Sequence, residues 1–310
     1  MTLVTADDVE AAARRIAGHV RATPVLALEP GAFGSAAALV LKLELLQHAG
    51  SFKPRGAFNR VLAATVPAAG VVAASGGNHG VAVAHVARSL GHRAEIFVPA
   101  VSAAAKVERI RALGAAVTVG GDVYQDAQDA ATARATETGA LLVHPYDHPL
   151  VVAGQGTMAR ELDAQAPGID TVLLAVGGGG LIAGAAAWFG DRVRIVSVEP
   201  ASIPAMYEAR RAGRPVTVAV SGLAADSLGA NAIGAVPFAV AAPFVDDAVL
   251  VTDDAIRDAQ RALWASVRVM AEPGGAAALA AVLSGAYRPA PGERVAVVVC
   301  GANVDPTTFA

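Results

Sequence analysis

The chain has 310 residues, of which 54% are hydrophobic and 16% charged, against about 25% charged in an ordinary soluble protein, so disorder is excluded. Twice the usual domain length predicts one large domain or two intimate ones. A net charge of −3 offers no basic surface to nucleic acid or anionic lipid, and the lone Cys300 cannot form an internal disulfide, which fits a reducing compartment.

The opening MTLVTADDVE lacks the basic region and apolar run of a signal peptide, so a cytoplasmic protein is expected. Thr5–Val20 reads as a capped helix, acidic early at Asp7, Asp8 and Glu10 and basic later at Arg14 and Arg15. Val40–Leu46 is a short apolar strand. Strands and helices then alternate: Val71–Ala74 and a helix from Asn78, Ala94–Val98 and a helix from Ser102, Ala116–Val119 and a helix from Val123, Leu141–Val143 and a helix from Leu150. Val172–Val176, a helix from Leu181, Val193–Val198, a helix from Ile203 and a last strand at Val295–Val299 complete the series. Uninterrupted apolar strands in this rhythm predict parallel sheet covered by helices on both faces. The stretch Thr171–Gly190 has the length of a membrane span, but four glycines at its centre penalise a helix there. Strand, glycine loop and helix describe it better, and no membrane partner is expected.

Four stations carry chemistry. In Gly50-Ser51-Phe52-Lys53-Pro54-Arg55-Gly56-Ala57, Pro54 suits the first position of a helix. Lys53 thus stands at a positive helix end that disfavours its charge, and Schiff-base chemistry needs such a neutral amine. Ser75-Gly76-Gly77-Asn78-His79-Gly80 follows a strand and opens a helix, so its N–H groups can hold a carboxylate. His79 and His85 lack the spacing of a helical metal pair. Gly177-Gly178-Gly179-Gly180-Leu181 lies between strand and helix and can wrap a phosphate. Val297–Asn303 ends a buried strand at Cys300, with no local base to make it a nucleophile. Each station alone admits a plain structural reading: an exposed lysine, a capped turn, a tight glycine turn, a core thiol. Gly178, Gly180 and Ala183, with Glu199 about twenty residues on, also satisfy the dinucleotide fingerprint of an NAD-dependent oxidoreductase.

Together, and in order, the stations resemble the serine/threonine dehydratase and serine racemase family of pyridoxal-phosphate enzymes, fold type II. SFKPRGA is similar to the motif of the cofactor lysine, here Lys53, and SGGNHG to the substrate-carboxylate loop. GGGGL resembles the phosphate cup, and CGAN the segment whose small polar side chain faces the pyridine nitrogen. Weaker echoes are HPYD at residues 144–147, GQGT at 154–157, Ser221-Gly222-Leu223 and Glu272-Pro273. The resemblance implies two open, mostly parallel sheets wrapped by helices: a large cofactor domain of residues 1–69 and 148–310, and a small mobile substrate domain of residues 70–147. It implies pyridoxal 5′-phosphate held by Lys53, Asn78, Gly177, Gly178, Gly179, Gly180, Leu181, Gly222, Glu272 and Cys300. Ser51, Ser75, Gly76, Gly77 and His79 are then expected around a small amino-acid substrate.

The implied activity is β-elimination of a hydroxy amino acid such as L-threonine or L-serine to a 2-oxo acid and ammonia. Lys53 would be both cofactor anchor and base. Lys-Pro-Arg-Gly-Ala is similar to the dehydratase–racemase branch, whereas cysteine-synthase and threonine-synthase relatives usually place Asp-Arg after the lysine. Serine racemases carry a proton-donating serine two residues before the Asn; Gly76 stands there, which argues against a dedicated racemase, with β-replacement a further alternative. Of their divalent-metal pair only Glu199 is kept, Ala205 taking the place of the aspartate, so no metal site is assigned and Glu199 stands as a weak candidate ligand. The chain ends soon after Cys300, so no regulatory domain is expected, and a homodimer or homotetramer is.

Overall fold

The computed structural model describes residues 4–307 except Pro30, Ala36, Val101, Ala103 and Pro306. Helix α1 (Ala6–Ile16) begins where Thr5 and Asp8 form a reciprocal capping box. It stops short of Val20, because Gly18 turns the chain at φ 79°. Strands β1 (Val25–Ala27) and β2 (Ala38–Lys42) follow, then α2 (Lys53–Leu62). The strand expected through Leu46 ends at Lys42: Glu44–Leu46 is a 3-10 turn, held where the Leu45 N–H donates to the Val299 carbonyl.

The next stretch alternates as the apolar runs predict: β3 (Val71–Ala74), α3 (Asn78–Leu90), β4 (Ala94–Val98), α4 (Ala104–Ala112), β5 (Ala116–Val119), α5 (Tyr124–Thr138) and β6 (Leu141–Leu142). These strands form one parallel sheet in the order β5-β4-β3-β6. Then come α6 (Pro149–Gln165), β7 (Thr171–Ala175), α7 (Gly180–Phe189), β8 (Arg194–Pro200), α8 (Ala205–Ala212), α9 (Ala225–Leu228) and α10 (Ala235–Ala241). The chain closes with β9 (Val245–Val251), α11 (Asp253–Val267), α12 (Pro273–Leu283) and β10 (Arg294–Val298). The larger sheet runs β1-β2-β10-β7-β8-β9, parallel except for the β1–β2 pair. All four strands of the smaller sheet fall between Val71 and Leu142, and all six of the larger fall outside that span.

Every residue of β7 is buried, as are Val295–Val298 of β10, so the centre of the large sheet is apolar on both faces. Thr171–Gly190 resolves into β7, a glycine loop and α7, and among the described residues no helix is long and apolar enough to cross a membrane. Four loops leave the carboxyl ends of β2, β3, β7 and β10. Open parallel sheets bind ligands at such ends.

Candidate active site

Lys53 is set by the first turn of α2, where Pro54 occupies a position that needs no N–H partner. Next to it, Arg55 is buried and clamped by Glu44 (2.8 and 2.7 Å) and Glu161 (3.0 Å). Lys42 joins Glu161 at 2.5 Å and the Thr23 carbonyl at 2.8 Å. A buried ion network of this kind is tolerable only when each charge is met, and here each is. The Lys53 amine donates to the Pro145 carbonyl at 3.1 Å and lies 5.0 Å from the centre of the Phe52 ring. Burial lowers its pKa from 10.5 to about 8, against the opposing pull of the Glu272 carboxylate.

On the second loop, Ser75 accepts from the Gly77 N–H at 3.1 Å, which shapes the turn into α3. Asn78 donates from Nδ2 to Glu272 Oε1 at 2.5 Å and accepts from Asn303 Nδ2 at 2.6 Å. His79 is buried and pushed down to about 3 by burial first, so its ring is neutral; Nε2 meets the Val143 carbonyl at 2.7 Å and ties α3 to the end of β6. A Cβ on Gly76 would collide with the Ser102 hydroxyl and lie 3.0 Å from its Cβ. A hydroxyl from another element therefore stands where a side chain of residue 76 would start.

The third loop packs hard on its glycines. A Cβ on Gly178 would enter the Tyr146 ring, and one on Gly179, at φ 87°, would meet Ile233 at 2.7 Å. Tyr146 is held edge-on to His144, whose Nδ1 accepts the Asp147 N–H at 2.8 Å. Among the described residues no acceptor meets the N–H groups of Gly177, Gly178 or Gly179, and Leu181 anchors the start of α7 in the core. Unpaired donors at a helix N-terminus suit a phosphate.

Cys300 lies two residues past β10 with its thiol 3.5 Å from the Gly274 carbonyl, and burial pushes it up to about 12, so it is neutral at physiological pH. Glu272 is pushed up to about 7 by burial, eased by Asn78, Lys106, Arg109 and Lys53 in turn. Beside them Ser51, fully buried and bridged to Gly301, carries a hydroxyl with no partner among the described residues. An orphaned buried hydroxyl, three unpaired amides and a depressed lysine fit an anionic aldehyde cofactor and an amino-acid substrate.

Lys53, Asn78, Glu272 and Cys300 are thus brought together from four separate stretches of chain. Gly222 is placed differently, in an exposed left-handed turn packed by Ser202 and Asp253. Glu199 gives both oxygens to the N–H groups of Met206 (2.7 Å) and Tyr207 (2.8 Å) at the start of α8 and is fully buried. It cannot also reach a ribose, which removes the dinucleotide alternative, and among the described residues no cluster of three His, Cys, Asp or Glu could hold a metal. Sequence reasoning gave no role to Tyr146, Ser102 or Asn303. Tyr146 and Asn303 lie inside the HPYD and CGAN segments; Ser102 carries no such signal.

A neutralisable lysine, an amide cup and a neutral thiol at the carboxyl ends of parallel strands are the parts of a cofactor-dependent α/β enzyme. The chain belongs to the pyridoxal-phosphate-dependent enzyme family, whose model matches residues 16–301, and pyridoxal phosphate is its cofactor. It is 35% identical over 308 residues to the L-threonine ammonia-lyase of Thermotoga maritima, covering 98% of this chain and 76% of that one. It is also 35% identical over 307 residues to a serine racemase of Oryza sativa subsp. indica, covering 96% and 90%. The structure of maize serine racemase superposes with a TM-score of 0.93 at 33% identity, covering 99% of this chain and 96% of that one. These likenesses support a dehydratase or racemase.

Proposed function

We propose that the protein is an ammonia-lyase acting on a small β-hydroxy amino acid, L-threonine or L-serine, and releasing a 2-oxo acid and ammonia. The buried Lys53 amine, depressed to about 8 beside a neutral Cys300, carries this reading. Lys53, Asn78, Glu272, Cys300 and the Gly177–Leu181 loop would hold pyridoxal phosphate, which when bound withdraws electrons from the substrate α-carbon. Residues 1–69 and 148–310 serve as the cofactor-holding part, and residues 70–147 as the part that moves over the substrate.

The substrate carboxylate is taken by the Ser75–Asn78 loop with Ser51. Lys53, uncharged in a useful fraction at neutral pH, removes the α-proton. The β-hydroxide leaves as water with the proton that Lys53 has taken, which returns the amine to its neutral form, and a water molecule then splits the resulting enamine into 2-oxo acid and ammonia. A thiol at Cys300 offers no charge to hold a ring nitrogen protonated, which favours rapid elimination over a long-lived carbanion.

Ser102 favours a second reading. Its hydroxyl against Gly76 gives the site a polar hydrogen that residue 76 itself lacks, as a racemase would use. One assay separates the two. Ammonia release and chirality are followed together on L-serine, L-threonine and bulkier β-hydroxy amino acids, with borohydride trapping at Lys53. Ammonia dominating over D-amino acid supports the lyase. Accumulating D-amino acid with little ammonia overturns it.

A further inference from the structure

The polar chain around Asn78 has a direction that one backbone carbonyl dictates. The Ala49 carbonyl can only accept, and Asn303 Nδ2 lies 2.9 Å from it, so that end of the Asn303 amide is the amino group. Its remaining hydrogen goes to Asn78 Oδ1 at 2.6 Å. Asn78 must then turn its amino group to Glu272, whose Oε1 accepts at 2.5 Å. Flipping Asn78 alone would set amino group against amino group and oxygen against carboxylate.

The backbone is shaped to keep this order. Ala49 adopts the left-handed region at φ 60°, where only glycine sits freely, and this conformation belongs to the turn that presents its carbonyl. At Gly50, φ 70°, a Cβ would lie 2.5 Å from Asn303 Oδ1; at Gly301 it would collide with Glu272 Oε1 and lie 3.4 Å from Asn78 Nδ2. Both glycines are required by the amide chain itself.

We infer that Asn303 is a positioning residue that locks the Asn78 amide with N–H, not C=O, toward the cofactor. The second Asn78 Nδ2 hydrogen has no acceptor among the described residues and is free to meet an oxygen on the cofactor ring. This rests on the reading above, in which Asn78 touches pyridoxal phosphate. A released amide could turn its carbonyl oxygen to that ring oxygen, replacing a hydrogen bond by repulsion between acceptors.

Asn303→Asp keeps the shape but has no N–H for Asn78 Oδ1, so at pH 8 and above, where Glu272 is ionised, Asn78 should flip and clash with its carboxylate. Adding Glu272→Gln supplies a donor to the flipped oxygen. Melting temperature is read with and without pyridoxal phosphate, and cofactor affinity and visible spectrum by titration. The expected result is a lower melting temperature for Asn303→Asp that the double variant regains in part. Cofactor affinity in the double variant should stay about tenfold below that of Glu272→Gln, with a shifted band. Should Asn303→Asp fail to fold, Asn303→Ala frees the same amide without new charge and should show the same affinity loss. Affinity and spectrum unchanged in either variant, or regained in step with stability, overturn the lock. A wild-type protein that takes up no pyridoxal phosphate would sink the functional reading instead, and the cofactor-free melting temperatures would still decide whether the amides are coupled.

Discussion

Lys53 is expected to combine with pyridoxal phosphate as an amine of pKa about 8 rather than 10.5. At neutral pH that difference gives roughly three-hundredfold more uncharged amine than an ordinary lysine holds. The cause is burial at the start of α2, opposed by the Glu272 carboxylate. Stopped-flow mixing of cofactor-depleted protein with pyridoxal phosphate, across about pH 6 to 10, reads the midpoint directly. The rate should climb and level off near 8. Glu272→Gln removes a negative neighbour and should move the midpoint lower still. Stability must follow the same group: the unfolded chain binds this proton more tightly between 8 and 10.5, so stability rises with pH across that window. The burial cost, about 3 kcal/mol, is fully present below the lower value. A midpoint close to that of free lysine, or a rate that ignores pH, would refute the reasoning.

Gly178→Ala forces a methyl into the Tyr146 ring and should cost about 1–3 kcal/mol together with most cofactor affinity; adding Tyr146→Ala should return the stability in a thermal melt. Cys300→Ser should keep the activity and the cofactor spectrum, whereas Cys300→Asp should shift the visible band by favouring a protonated ring; a Cys300→Asp protein that fails to fold would mark the thiol as core packing. Gly76→Ser must displace Ser102, so its effect on D-serine formation, read by chiral chromatography, should change when Ser102→Ala is added, and identical results in both backgrounds would dissociate Ser102 from the site. Glu272 and Glu199 are both pushed up to about 7 by burial. The folded protein holds those protons more tightly than the unfolded chain, so stability should fall as pH rises from 4.5 toward 7 in denaturant titrations.

Much of the small sheet was legible residue by residue. β3, β4 and β5 begin and end where the apolar runs do: β3 is buried throughout and β4 over its last three residues, while β5 is an exposed edge strand whose run Val117–Val119 is cut by Gly120. Lys53, the Gly177–Gly180 loop and Cys300 were legible too, since each sits at a strand end or helix start that local sequence marks. β1 and β9 were not foreseen: one has three residues, and the other carries Asp246 and Asp247 through its middle. Their pairing comes from the neighbours β2 and β8, not from their own patterns. The break after Lys42 likewise depends on a bond to Val299, far along the chain. What the sequence by itself determined was the class of sheet and the places of its glycine loops and helix starts, because periodicity and turn signals are local properties. Only the tertiary structure decided how those residues face one another. Asn78 meets Glu272 194 positions away and Asn303 225 positions away, and the direction of those hydrogen bonds exists only once two sheets bring three distant loops to one place.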